Sequence, residues 1–355
     1  MWPPDLDMGS STVKTVDTEQ TVVNRAGGAT GRFRNVRRPH PRNPRPRRAP
    51  VLAVTAAATA SSVLAAGVAA APAQAAPVPA VAVPAVAVGA PAAAPRAPAV
   101  TARGAFLMNA GSGRTLYAKA ADSRLPTGST TKIMTAKVVL ESKGLDLDSK
   151  VVVQKAYSDH IVKNTASSAR LIVGDRVTVR QLLYGLMLPS GCDAAYALAD
   201  TFGTGKTREA RVKSFIGRMN ASARSLGLKN THFDSFDGLG GNGNYSTPRD
   251  LTRLAVSAMK NTTFRAVVAT RSTTQRTVTK SGGRRDMKWT NTNPLLASYR
   301  GTLGIKTGSG PSAKYCLVFA VRRGSTTLYG TVLAASSDVN RAKDAGRLLD
   351  HGFKG

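Results

Sequence analysis

Apolar and polar positions along this chain change their spacing several times, and each spacing predicts an element. Near the start of the conventional part, the apolar run Ala105 to Asn109 is followed by Gly111-Ser112-Gly113 and then Arg114 to Lys119, which predicts a β-hairpin with glycine at its turn. The same form returns near the C-terminus. Leu303 to Lys306 leads to the apolar run Lys314 to Val321, a turn at Arg323-Gly324-Ser325, and a last run from Thr327 to Ala334. Strands at both ends of the chain assemble most simply into one five-stranded antiparallel sheet.

Between these ends the spacing becomes helical. Thr130 to Glu141 is rich in helix formers, with Pro126 and Gly128 breaking what precedes it and Gly144 placed to stop it. Thr178 and Gln181 form a capping box ahead of Leu182 to Leu188, and Pro189 ends that helix. Val212, Phe215, Ile216 and Met219 mark one apolar face, with Gly227 as its stop, and Thr247, Pro248 and Asp250 open a helix running towards Lys260. Asp338 to His351 predicts a closing helix. The fold class is therefore α/β of the α+β kind: a five-stranded antiparallel sheet flanked by helices, plus a mostly helical subdomain. Residues 101–150 and 285–355 are assigned to the sheet part and 151–284 to the helical insert.

The first hundred residues stand apart. Residues 1–50 read as a disordered basic N-terminal region, and residues 51–75 as a signal-peptide segment: Val51 to Ala71 carries no charge, and Ala73-Gln74-Ala75 is a small-x-small cleavage site. A retained membrane anchor is the competing reading, since the apolar run reaches roughly the 20 residues needed to span a bilayer. Residues 76–100, rich in Ala, Pro and Val, predict an extended linker. Both readings place the domain 101–355 outside the cytoplasm, in the wall or at the outer face of the membrane.

Charge sharpens that picture. The 355-residue chain has a formal net charge of +30, and from Thr101 onward 39 Lys and Arg stand against 16 Asp and Glu. Such a surplus suggests nucleic acid first. No nucleic-acid motif accompanies it, aromatic residues are 5% of the chain, and an exported protein meets anionic wall polymers or lipid headgroups instead. A surface charge kept for solubility, with no partner, is the plainer alternative. The two cysteines, Cys192 and Cys316, have no disulfide or metal-ligand spacing and predict two free thiols.

Candidate chemistry begins at Ser129-Thr130-Thr131-Lys132. A helix opening at Ser129 brings the Lys132 amine, three residues on, towards the hydroxyl, while the free N–H groups of the first turn favour a developing anion. A serine is a poor nucleophile until a neighbour takes its proton, and a desolvated lysine can do so. Ser190-Gly191-Cys192 lies 61 residues on, and Lys306-Thr307-Gly308 a further 116. Among the histidines, His40, His160 and His351 form no constellation, so neither metal catalysis nor a Ser-His-Asp triad is expected, and no cofactor is implied.

Order and spacing of these three motifs resemble those of the serine penicillin-recognising enzymes. Thr231 to Leu239, Ser246 to Leu251 and Asn291 to Leu296 match further landmarks, with His232 a structural one. Residues 101–355 thus resemble a low-molecular-mass penicillin-binding protein, a serine D-alanyl-D-alanine carboxypeptidase or transpeptidase of the actinobacterial type that carries Ser-Gly-Cys. The resemblance implies a β-lactamase/transpeptidase-like fold and peptidoglycan stem peptides ending in D-Ala-D-Ala as substrate, with β-lactams as covalent inhibitors. It makes Ser129 the nucleophile, Lys132 its base and Ser190 a proton relay to the leaving amine. Lys306 and Thr307 would hold the terminal carboxylate, Gly308 completes their motif, and the N–H groups of Ser129 and Ser309 would form an oxyanion hole.

Cys192 stands where the family usually has Asn, as a substrate-binding residue with a weaker hydrogen-bonding group. A thiol lining the cleft near Lys132 and Lys306 would be thiolate-prone and the more reactive of the two; the alternative is a small buried hydrophobe. Two other functions compete. A class A β-lactamase needs a deacylating glutamate, and Glu209, the only glutamate after Ser190, lacks the expected E-x-x-L-N context. A non-catalytic basic wall-binding protein of the same fold would not need three intact motifs.

Overall fold

The computed structural model describes residues 97–241 and 243–354, so the signal segment and most of the linker lie outside the described residues. The chain opens with the expected hairpin, β1 (Gly104–Asn109) and β2 (Thr115–Lys119), and then a two-residue strand β3 (Leu125–Pro126). A 3-10 turn over Gly128–Thr131 runs into α1 (Lys132–Leu140), so Ser129 opens the segment on a tighter turn and the α-helix itself begins two residues later than the Thr130 expected. Next come β4 (Lys150–Val152), α2 (Lys155–Asn164) and β5 (Arg176–Thr178). In α3 (Val179–Met187) the capping box forms as expected: Thr178 accepts from the Gln181 N–H, and the Gln181 side chain accepts from the Thr178 N–H.

Helices α4 (Cys192–Phe202) and α5 (Arg208–Ser225) follow, the latter burying Phe215, Met219 and Ala223. Strand β6 (Tyr245–Ser246) pairs with β3 and pins the approach to Ser129. Thr247 caps α6 (Pro248–Ala258), and Asn261 caps α7 (Thr262–Ala269). Then come β7 (Ser272–Val278), β8 (Arg284–Thr290) and the short α8 (Leu295–Ser298). Strands β9 (Thr302–Gly310), β10 (Lys314–Arg323) and β11 (Thr326–Ala335) lead to α9 (Asp338–Gly352), capped by Ser337.

The principal sheet has the order β2-β1-β11-β10-β9 and is antiparallel throughout. Helix α9 covers one face, packing Ala345, Leu348 and Leu349 on Leu107, Leu317, Phe319, Leu328 and Val332. The other face meets the larger core, to which α1, α3, α4, α5, α6 and α7 all contribute. Strands β2 and β9 are the two edges of this sheet, and the turn bearing Ser129 lies against β9.

One assignment drawn from sequence needs correction. Residues 285–290 do not join the principal sheet: β4, β5, β7 and β8 form a second, four-stranded sheet alongside the mostly helical insert. The alternation that builds it is Thr277, Met287 and Trp289 inward, with the polar partners outward. Its high density of Arg and Lys hides that alternation from an eye looking for apolar runs. Helix α6, counted with the insert, packs on β1 and β11.

Candidate active site

Three stretches of backbone cross so closely at the β9 edge that side chains are excluded. A Cβ on Gly308 would meet the Thr127 carbonyl oxygen at 2.7 Å, and one on Gly238, whose φ is +91°, would lie 1.9 Å from the Gly128 oxygen. These contacts hold the turn bearing Ser129, the β9 edge and the 237–239 segment against one another.

In a 3-10 turn, side chains at i and i+3 eclipse. Lys132 Nζ accordingly lies 2.8 Å from Ser129 Oγ. The lysine is 0% exposed, and its Nζ also donates to the Asp237 carbonyl (3.0 Å) and contacts Cys192 Sγ (3.2 Å). With two hydrogens directed at those acceptors, the remaining position on nitrogen faces the serine hydroxyl. That position is within hydrogen-bond reach for passing a proton between the two groups.

Ser190 is held at φ +64°, a left-handed conformation that a non-glycine residue keeps only where its surroundings enforce it. It caps no helix, since Gly191 is the N-cap of α4. Its carbonyl accepts from Ser167 Oγ at 2.6 Å, whereas its own buried hydroxyl has no hydrogen-bond partner. A buried hydroxyl without a partner on a cleft wall is a group held in reserve for a ligand or a proton.

Lys306 departs from expectation. It is 1% exposed, its Nζ donates to the Thr307 carbonyl at 3.0 Å, and burial together with the nearby charge of Lys132 pushes its pKa well below the usual lysine value. Its amine is buried, and Lys306 is not among the residues bordering the cleft. What reaches the cleft is Thr307, paired with Thr292 at 2.6 Å, and Arg341 from the first turn of α9. Arg341 is 8% exposed, has an unpartnered Nε, makes no salt bridge among the described residues, and has its pKa lowered by burial. A desolvated guanidinium without a carboxylate is an anion site in waiting. The sequence signal was present: Arg341 falls on the same stripe as Ala345, Leu348 and Gly352, a cation where the helix should be apolar.

Cys192 also differs from the cleft-lining, reactive thiol considered above. It is 0% exposed and absent from the cleft wall, and burial raises its pKa despite Lys132 beside it. It touches the machinery from behind. Cys316 is likewise buried, with its thiol pushed up to about 11 by burial, and both cysteines are free.

His160, which sequence reasoning left unassigned, has a partner after all. Its Nε2 lies 2.7 Å from the Asp237 carboxylate, whose backbone carbonyl holds Lys132. Burial opposes ionisation of Asp237, but the His160 hydrogen bond, the charge of Lys132 and the Leu239 N–H outweigh it and hold the carboxyl below its ordinary range. Asp193 fixes the opposite wall by accepting from Ser168 Oγ and the Ala169 and Leu171 N–H groups. The resulting cleft, of about 480 Å³, is bordered by Ser129, Ser190, Thr307, Ser309, Leu239 and Arg341. Among the described residues no cluster of three or more potential ligands could hold a metal ion.

Residues 91–337 match peptidase family S11, D-alanyl-D-alanine carboxypeptidase. The chain belongs to this family. It is 64% identical over 257 residues to the D-alanyl-D-alanine carboxypeptidase of Streptomyces sp. (strain K15), covering 72% of this chain and 88% of the relative. The crystal structure of the Streptomyces K15 DD-transpeptidase superposes with a TM-score of 0.73 at 65% identity, over 73% of this chain and 100% of that one. D-alanyl-D-alanine carboxypeptidase DacF of Bacillus subtilis is 33% identical over 71% of this chain, which spans 62% of DacF. Family membership makes this chain a serine-type D-alanyl-D-alanine carboxypeptidase with the fold expected from its motifs. The β-lactamase reading loses its base as well, since Glu209 is exposed on the first turn of α5, bonded to Thr207 and absent from the cleft wall.

Asp237 gives this arrangement a pH dependence. Because its folded pKa is depressed, it contributes stability that is present above about pH 4, the unfolded carboxyl value, and lost as pH falls through the lower folded value. Melting temperatures followed downward from about pH 5 should fall more steeply for the wild type than for Asp237→Asn. Parallel slopes would remove Asp237 from that account.

Proposed function

We propose that this enzyme cleaves the terminal peptide bond of peptidoglycan stem peptides ending in D-Ala-D-Ala, through an acyl-enzyme on Ser129. The observation that carries the reading is the 2.8 Å contact between Lys132 Nζ and Ser129 Oγ, in a cleft that also holds an unpartnered hydroxyl and an unpaired guanidinium. Ser129 Oγ bonds to the carbonyl carbon between the two D-alanines while its proton passes to Lys132 Nζ. The oxyanion is held by the N–H groups of Ser129 and Ser309. The C–N bond breaks, the leaving nitrogen takes its proton through Ser190 Oγ, and D-alanine departs. Water attack on the ester completes a carboxypeptidase cycle, whereas an acceptor amine completes a transpeptidase cycle. In either case the attacking group's proton passes to Lys132 and on to Ser129 Oγ as the ester C–O bond breaks, which restores the hydroxyl and the free amine.

Thr307 Oγ1 and Arg341 hold the substrate's terminal carboxylate, while Lys306 supports them from behind the wall. Cys192 acts on Lys132 and not on substrate, as its burial requires. Gly308 keeps β9 close enough for Ser309 to face Ser129. A β-lactam ring, opened by the same attack, leaves its acyl group on Ser129. We infer that the domain acts outside the cytoplasm, delivered by the segment 51–75; no helix among the described residues is long and apolar enough to cross a membrane.

Labelled penicillin should form a one-to-one adduct mapping to Ser129, and Ser129→Ala should abolish it. An adduct that survives the substitution or maps elsewhere would refute the assignment. For the carboxylate, Arg341→Gln should lower kcat/KM about ten- to a hundred-fold on a free-acid peptide, the worth of a charge-assisted hydrogen bond of about 1.5–3 kcal/mol. An ester-capped analogue should lose little. Equal losses on both would mean that Arg341 binds no carboxylate. Sequencing of the exported protein should find a mature N-terminus near Ala76; recovery of residues 51–71 in the membrane fraction would establish an anchor instead.

A further inference from the structure

The second sheet buries one face and leaves the other open. Val177 of β5, Thr277 of β7, and Met287 and Trp289 of β8 are buried. Side chains alternate across a strand, so their neighbours Arg176 and Thr178, Thr274 and Arg276, and Arg284, Asp286 and Lys288 stand on the opposite, solvent side. Register then sets them in rows. Val152, Arg176, Val278 and Arg284 are neighbours across the four strands; Lys150 lies opposite Thr178, Arg276 opposite Asp286, and Thr274 opposite Lys288.

This face carries five cations, Lys150, Arg176, Arg276, Arg284 and Lys288, against one acid, Asp286. All five are exposed. Arg276 and Asp286 pair at 2.9 Å, and the other four cations have no ion-pair partner among the described residues. Strands lie about 4.8 Å apart and same-face residues about 6.7 Å apart along a strand. Like charges on that lattice weaken a sheet, so fold stability does not account for them.

We propose that this face binds a linear phosphodiester polymer of the cell envelope. Arginine presents paired donors to the non-bridging oxygens of a phosphate; the Thr274 hydroxyl lies beside Arg276 and Lys288, and Ser272 and Thr290 extend the polar row beyond Lys288. Strand β8 runs directly into Asn291 and Thr292, and Thr292 stands on the cleft wall. A polymer held here lies alongside the cleft. The reading of the protein as exported bears on the proposal only through where such a polymer is met. Among nearby apolar groups only Val152, Ile172 and Val173 are notably exposed, at 44, 45 and 44%, and the face itself carries no aromatic ring. A lipid surface would draw on those three, which makes it the rival that the experiment must separate.

The test titrates purified protein with a lipid-free poly(glycerol phosphate) over a range of salt concentrations, and in parallel with vesicles of phosphatidylglycerol and phosphatidylcholine. Combining Arg176→Gln, Arg284→Gln and Lys288→Gln should weaken polymer binding about tenfold or more and lower the slope of log K against log salt by about two to three. Penicillin acylation should be unchanged. A control with the same loss of charge, Lys206→Gln, Lys213→Gln and Lys229→Gln, all exposed around α5, should weaken binding less than about twofold. Equal losses in the two triple variants would show net charge alone at work and overturn the proposal. So would absence of polymer binding, or vesicle binding that matches or exceeds it and is lost in the first variant.

Discussion

Everything at the site depends on how one lysine amine is enclosed. Lys132 Nζ is fully buried and meets Ser129, the backbone of Asp237 and the thiol of Cys192, which come from three separate segments of the chain. A buried amine is costly unless its hydrogens are used. Those contacts orient it, and in doing so bind α1 to α4 and to the 237–239 segment. Cys192 fits this arrangement in a way its sequence position did not announce. Sulfur is a weak acceptor, so the thiol holds the amine less firmly than an amide oxygen would, while burial raises the thiol's pKa.

The second constraint is steric. Gly308 and Gly238 permit backbone to lie on backbone where any side chain would collide, and the cleft exists because those strands cannot separate without losing the contacts that define it. The His160–Asp237 pair and the Asp193 cluster then hold the flanking walls. The proposed catalytic side chains, on a helix start, a strand edge and a strained turn, are in this way given one mutual geometry.

Much of this was legible in the order of residues. Apolar runs joined by glycine turns located all five strands of the principal sheet, and Thr178 with Gln181, Thr247 with Pro248, and Gly227 marked helix ends that the fold respects. Ser129, Lys132 and Ser190 were picked out because their spacing made chemical sense. Arg341 and His160 were not, since each acts through a partner distant in sequence: Arg341 across the β9 edge, His160 through a carboxylate 77 residues away. Lys306 and Cys192 were assigned to the cleft because motif residues are expected to face substrate, whereas packing placed both behind its wall. The second sheet was missed for a related reason, because its outward positions carry charge where its inward ones carry single apolar residues.

Strand β1, near the beginning of the domain, pairs with β11, near its end, and the guanidinium that faces the cleft arrives only with the helix after β11. A ribosome therefore releases Ser129 and Lys132 long before the middle of the sheet or the anion site exists. Until that last segment docks, the nucleophile and its neighbouring amine stand in a cleft without its far wall.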